Sequence, residues 1–233
     1  MIWHEVCDDS RKLNLEIRMF KTRFIAAIAI AVAAVGANAQ ASLIFNGMSQ
    51  NKYGTATITI NGKTETVYAG PQSVTLQGTN QTFDAYCVDL MNWNTFGDCY
   101  AVDINNAAGS SANNAAKISW MYDQLAGKVT NATEGSALQL AIWDVLTDNG
   151  DGLNTGNFLA SGVSADVFNQ AGAYLDFAKT FNGIGGDAAF YEAVNHPGGR
   201  YQDLVGKPVP EPATMLGLLG LAGIALRRRF NKK

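Results

Sequence analysis

Residues 53–70 read YGTATITINGKTETVYAG. Polar and apolar side chains alternate on both sides of Asn61-Gly62. A type I′ turn needs positive φ at both central positions, and this dipeptide supplies it. The stretch therefore commits the chain to an antiparallel hairpin. The same two-residue period runs through SLIF (42–45), SVTLQ (73–77), QTFDAYCVDLM (81–91) and CYAVDI (99–104), with Gly78-Thr79-Asn80 joining the second and third of these. Beyond residue 105 the period changes. Ile118, Met121, Tyr122 and Leu125 recur at helical spacing up to Gly127, a C-cap residue. A second helix carries Leu138, Ala141, Ile142, Val145 and Leu146 and stops at Asn149-Gly150. A third begins at Ser164, an N-cap residue, and runs to about Phe181. The remainder to Lys207 is Gly-rich, with one or two short strands expected. No repeat of solenoid period is present. The expected class is α+β: an antiparallel β-sheet or barrel followed by a small helical subdomain.

The two ends are unlike this middle. Residues 19–39 combine Lys21 and Arg23, an apolar run from Phe24 to Val35, and Ala37-Asn38-Ala39. That is the form of a secretory signal peptide, with cleavage after Ala39 and a mature start at Gln40. Residues 1–18 fit no export signal, so Met19 is the expected true start and Cys7 falls outside the mature chain. At the other end, Val209-Pro210-Glu211-Pro212 precedes an apolar stretch from Ala213 to Leu226. A basic cluster follows, with Arg227, Arg228 and Arg229 at its head. The apolar stretch is expected to enter the bilayer as a short helix, with the basic end held on the cytoplasmic side.

Without these ends, residues 40–212 hold seven basic against sixteen acidic residues, a net charge of −9. Such an acidic chain, with no basic cluster, is a poor fit to nucleic acid. The tail resembles the PEP-CTERM sorting signal of Gram-negative bacteria over about its last 25 residues. That resemblance implies a domain plan: leader and signal peptide (1–39), mature exported domain (40–207) and sorting tail (208–233). It also implies signal peptidase and exosortase as processing partners, transient anchoring in the membrane by the helix at about 213–226, and delivery to the cell surface or an extracellular matrix.

Hydrolase chemistry finds little support. His196 is the single histidine of residues 40–212 and sits in a Gly/Pro loop. There is no Cys/His cluster at zinc spacing. DNGDGLN (148–154) has its aspartates at the wrong interval for a calcium loop and reads as a polar turn. No pair of carboxylates is singled out as a glycosidase pair. Thr-x-Thr at 55–59 does not extend into an ice-binding array. No cofactor, no metal and no enzymatic turnover are expected.

Two readings of the cysteines stay open. In an oxidising compartment Cys87 and Cys99 are candidates for a disulfide, worth about 3 kcal/mol by loop closure. The protein would then be a non-covalent structural or carbohydrate-binding surface module. Alternatively, a thiol held against a glutamine amide away from water can displace ammonia and leave a thioester, an activated acyl group. Gln139 suits that role, because Trp143 lies one helical turn on and can cover its amide. Ser136-x-x-Gln139 also matches a capping box, in which the glutamine would merely serve a helix start. The element YCV (86–88), followed by LQLAIW (138–143), resembles the two signature motifs of the thioester domains of bacterial surface adhesins. That resemblance implies a Cys87–Gln139 bond, with Tyr86 and Trp143 as cover and Asp89 or Asp144 as polar orienters. It also implies attachment to amines or hydroxyls on a surface polymer or protein.

Overall fold

The computed structural model describes residues 41–208 except Asn80. The expected signal peptide, the Val209–Pro212 box, the apolar tail segment and Arg227–Arg229 lie outside the described residues. Among those described, no helix is long and apolar enough to cross a membrane.

The elements follow the two periods of the sequence. Strands β1 (Ala41–Met48), β2 (Gly54–Ile60), β3 (Lys63–Ala69), β4 (Gln72–Leu76), β5 (Gln81–Cys87) and β6 (Cys99–Asn105) come first. Helices α1 (Ala115–Leu125) and α2 (Ala132–Asp148), strand β7 (Phe158–Ser161), helix α3 (Ala165–Ala178) and strands β8 (Ala189–Ala193) and β9 (Leu204–Gly206) follow. Asn61 and Gly62 take φ of 50° and 79°, as the hairpin between β2 and β3 requires.

Six strands close an antiparallel barrel in the order β1-β4-β5-β9-β8-β6. Closure leaves none of these six as a free edge. Leu43 faces Leu76 and Phe45 faces Val74 across β1 and β4, and all four side chains are buried. The hairpin joins β7 in a separate sheet, β3-β2-β7. The pattern did not announce β7. It is four residues long, and its buried positions, Phe158 and Ala160, are fixed by pairing with Ile60 and Ile58.

Helix α2 is central. Every residue from Gly135 to Val145 is buried, as expected of a helix with neighbours on all sides. It packs against α1, α3, β5 and the small sheet. Gly135 makes the approach possible, since a Cβ there would sit 1.9 Å from the Lys52 carbonyl oxygen. The helix starts at the N-cap Asn131, whose side chain accepts from the Glu134 N–H. Gln139 therefore lies well inside the helix and does not cap it; at the true start the Glu134 carboxylate accepts from the Thr130 N–H and hydroxyl. Asn149, in the left-handed region, ends the helix. Helix α3 starts at Ser164, whose Oγ accepts from the Val167 N–H, and ends at Ala178, three residues short of Phe181.

Candidate functional site

Strand β5 ends at Cys87. On one side it pairs with β9, Tyr86 facing Val205 and Cys87 facing Leu204. On the other side β4 reaches only as far as Ala85, opposite Gln72. Cys87 lies two residues beyond that ladder, where no strand on that side completes its backbone bonds. The Gln139 side chain does so instead. The Cys87 N–H donates to Gln139 Oε1 at 3.0 Å, and Gln139 Nε2 donates to the Cys87 carbonyl at 2.9 Å. Both residues are almost fully buried. A carboxamide offers one acceptor and one donor in fixed geometry, so it can stand in for a strand neighbour.

The Cys87 thiol is free. Its Sγ donates to the Asp89 carbonyl at 2.7 Å and accepts from the Asp89 N–H at 3.3 Å. A Cys87–Cys99 disulfide is not formed, and the topology explains why. Cys99 opens β6, which pairs with β1 and β8, while β5 pairs with β4 and β9. Three positions around a six-stranded barrel separate the two strands, which puts them on opposite walls.

Cys87 and Gln139 both line a cavity of about 710 Å³. Phe45, Ile58 and Trp143 line it as well, and its rim carries Met91, Trp93 and Phe96, all exposed. Trp143 is 3% exposed, and its ring lies 6.3 Å from that of Phe158. The loop between β5 and β6 is tied down by polar contacts. Asp89 caps its start, accepting from the Met91 N–H and from Asn92 Nδ2. Asn94 Nδ2 donates to Gln72 Oε1, and Asn94 Oδ1 accepts from the Gln202 N–H. Asp98 accepts from the Thr95 N–H and pairs with Arg200.

Burial pushes the Cys87 thiol well above its ordinary pKa, so the sulfur is held as the neutral thiol. The Asp89 backbone contact pulls the other way, more weakly. The Trp143 indole Nε1 is buried without a hydrogen-bond partner.

Two expected supporting residues lie elsewhere. Tyr86 is not part of the cavity wall, because alternation along β5 turns it away from Cys87; its ring meets Tyr122 of α1 edge-on at 6.2 Å. Asp144 is turned toward the loop after α2, where its Oδ2 accepts from the Gly152 N–H. His196, in its Gly/Pro loop, lies beside Asp89. Its Nδ1 is 3.9 Å from Asp89 Oδ2, and its Nε2 is 3.8 Å from Asp203 Oδ1. Burial, with Asp89 adding to it, raises Asp203 to about 6. No local pattern joins these residues, since the β8–β9 connection brings His196 and Asp203 back to the end of β5.

Two groups of side chains have metal-ligand proximity: Asp89, His196 and Asp203, and separately Asp144, Asp148 and Asp151.

The chain carries a PEP-CTERM protein-sorting motif at residues 208–229. No curated protein matches the chain. Among solved structures, the N-terminal thioester domain of fibronectin-binding protein SfbI from Streptococcus pyogenes is similar at a TM-score of 0.40 and 14% identity. The match covers 71% of this chain and 98% of that one. A superposition at that score transfers no residue's role, so the site rests on its own geometry.

Proposed function

We propose that this protein, whose PEP-CTERM motif implies export, exosortase processing and sorting to the cell surface, attaches covalently to a target through a Cys87–Gln139 thioester. The observation that carries this reading is the pair of hydrogen bonds between the buried Gln139 amide and the Cys87 backbone, both residues lining one cavity. The sulfur belongs to the residue on which the amide rests.

The chemistry balances within the chain. Cys87 Sγ attacks Gln139 Cδ and the C–S bond forms. The C–N bond to Nε2 breaks, the thiol proton goes to the departing nitrogen, and ammonia leaves. Aminolysis by a target reverses the roles: a new C–N bond forms, the C–S bond breaks, and the thiol takes back a proton. The protein is spent in this event and does not turn over. Trp143 and the rest of the apolar wall keep water from the acyl carbon. Met91, Trp93 and Phe96 at the rim offer contact surface to a target polymer or protein.

Intact mass of the mature chain, unreduced and kept from amines, tests the proposal. A deficit of one ammonia is expected, lost in Cys87→Ala, which keeps the Gln139 contact to the backbone. On incubation with methylamine the deficit should give way to a covalent adduct. A wild-type mass without deficit, or adducts persisting in Cys87→Ala, would sink the reading.

A further inference from the structure

Three carboxylates converge at the C-terminal end of α2. Asp144, Asp148 and Asp151 each bring a carboxylate oxygen within 4.8 Å of the other two. Hydrogen bonds satisfy them only in part. Asp148 accepts from the Asn157 N–H, Asn157 Nδ2 and the Phe158 N–H. Asp144 Oδ2 accepts from the Gly152 N–H. Asp144 Oδ1 has no partner, although Asp144 is fully buried. A buried carboxylate oxygen left unpaired is costly, and such orphans call for a missing ligand.

The electrostatics point the same way. The last turn of α2 contains no basic residue. Negative charge there also opposes the helix dipole, whose C-terminal end is negative. Among the described residues no salt bridge reaches any of the three carboxylates: Lys179 pairs with Asp176, and Lys117 bonds to the oxygens of Asn149. The backbone closes tightly over the cluster. Gly156 has φ of 78°, and a Cβ there would fall 2.6 Å from Asp148 Oδ2 and 2.8 Å from Asp151 Oδ2. Only glycine allows the turn to approach both carboxylates.

We propose that Asp144, Asp148 and Asp151 bind one Ca²⁺, with backbone oxygens or water completing the shell. All three donors are hard carboxylate oxygens, without the nitrogen or sulfur that zinc prefers. Ca²⁺ takes six to eight oxygens in a flexible shell, which suits carboxylates joined by backbone oxygens and water; Mg²⁺ demands a near-ideal octahedron and keeps most of its own waters. The spacing of Asp148 and Asp151 alone does not make an EF-hand loop. The third ligand comes from the helix, one turn before Asp148. The ion would fasten α2 to the start of β7 and so brace Trp143, the neighbour of Asp144, against Phe158. The site does not depend on acyl chemistry at Cys87.

The full chain, stripped with EDTA, is titrated with CaCl₂ by calorimetry, and its thermal unfolding is followed with and without the ion. One Ca²⁺ per chain is expected, with Kd of about 10⁻³ M or tighter, the range of extracellular modules. Millimolar CaCl₂ should raise Tm. Asp151 is exposed, so Asp151→Asn should fold normally and bind at least tenfold more weakly. Asp144→Asn should lose binding altogether. The site is overturned by absence of saturable binding at tenfold above that range, or by unchanged affinity in Asp151→Asn. MgCl₂ binding as tightly as CaCl₂ would overturn the assignment to calcium.

Discussion

Gln139 completes the backbone bonding of Cys87, a residue 52 positions earlier, by two hydrogen bonds of 3.0 and 2.9 Å. A side chain from the middle of a buried helix thus does what the next residue of β4 would have done. The contact is structural before it is chemical, and the two roles can be separated.

In a Cys87→Ala background no thioester can form, yet the backbone contact remains. Adding Gln139→Ala to that background leaves a buried N–H and a buried carbonyl unpaired. A further loss of roughly 2–4 kcal/mol is expected. Urea unfolding of the two variants measures it. A difference below about 0.5 kcal/mol would mean that water replaces the amide and that the site is wetter than its burial indicates.

Trp143 lines the same cavity as Cys87 and Gln139 and is the cover in the proposed thioester. Trp143→Ala should shorten the lifetime of the ammonia-deficient species at least tenfold, and should cost about 3–5 kcal/mol of stability through the void it leaves. Trp143→Phe keeps most of the cover and removes an indole N–H that has no partner. Its lifetime should stay close to wild type. Mass spectra taken over time at neutral pH distinguish the two; equal lifetimes in all three proteins would remove Trp143 as the cover.

Asp203 sets a pH dependence. Its carboxyl is raised from 3.8 to about 6, chiefly by burial, with Asp89 and Glu192 adding to the rise and the Ala193 N–H and His196 opposing it. Between those values the folded chain holds more protons than the unfolded one, so stability falls as pH rises. The contribution is full below about 3.8 and is gone above about 6. Asp203→Asn should flatten that part of the curve. Unfolding midpoints from pH 3.5 to 7 for the two proteins decide it; parallel curves would show that the carboxyl titrates near its ordinary value.

The elements that local chemistry dictates were legible in the sequence. Asn61-Gly62 fixes its hairpin by turn geometry, and Ser164 and Asn149 mark helix ends through their own side chains and φ preferences. The choice of Gln139 with Trp143 needed only one turn of helix. What escaped was set by distant parts of the chain. Strand β7 is held by partners a hundred residues away. Tyr86 and Asp144 keep their sequence neighbours but face away from the cavity, because strand alternation and helix phase decide direction. Asp89 and His196 meet through the return of the chain along β8 and β9, and pairing on opposite walls of the barrel keeps Cys87 from Cys99. No spacing rule encodes such closures.

Strand β9 has a mechanical consequence. Gly206 is its last residue, and the sorting motif begins at 208. Any tether carried through that motif pulls first on a three-residue strand. That strand is laced on both flanks, to β5 and to β8, so a pull is shared between two ladders and has no loose margin to peel. Leu204 of this strand sits opposite Cys87, on which Gln139 rests. Were Gln139 the point of covalent attachment, as proposed, a pull toward the tail would meet the β5–β9 pairing one rung from its entry.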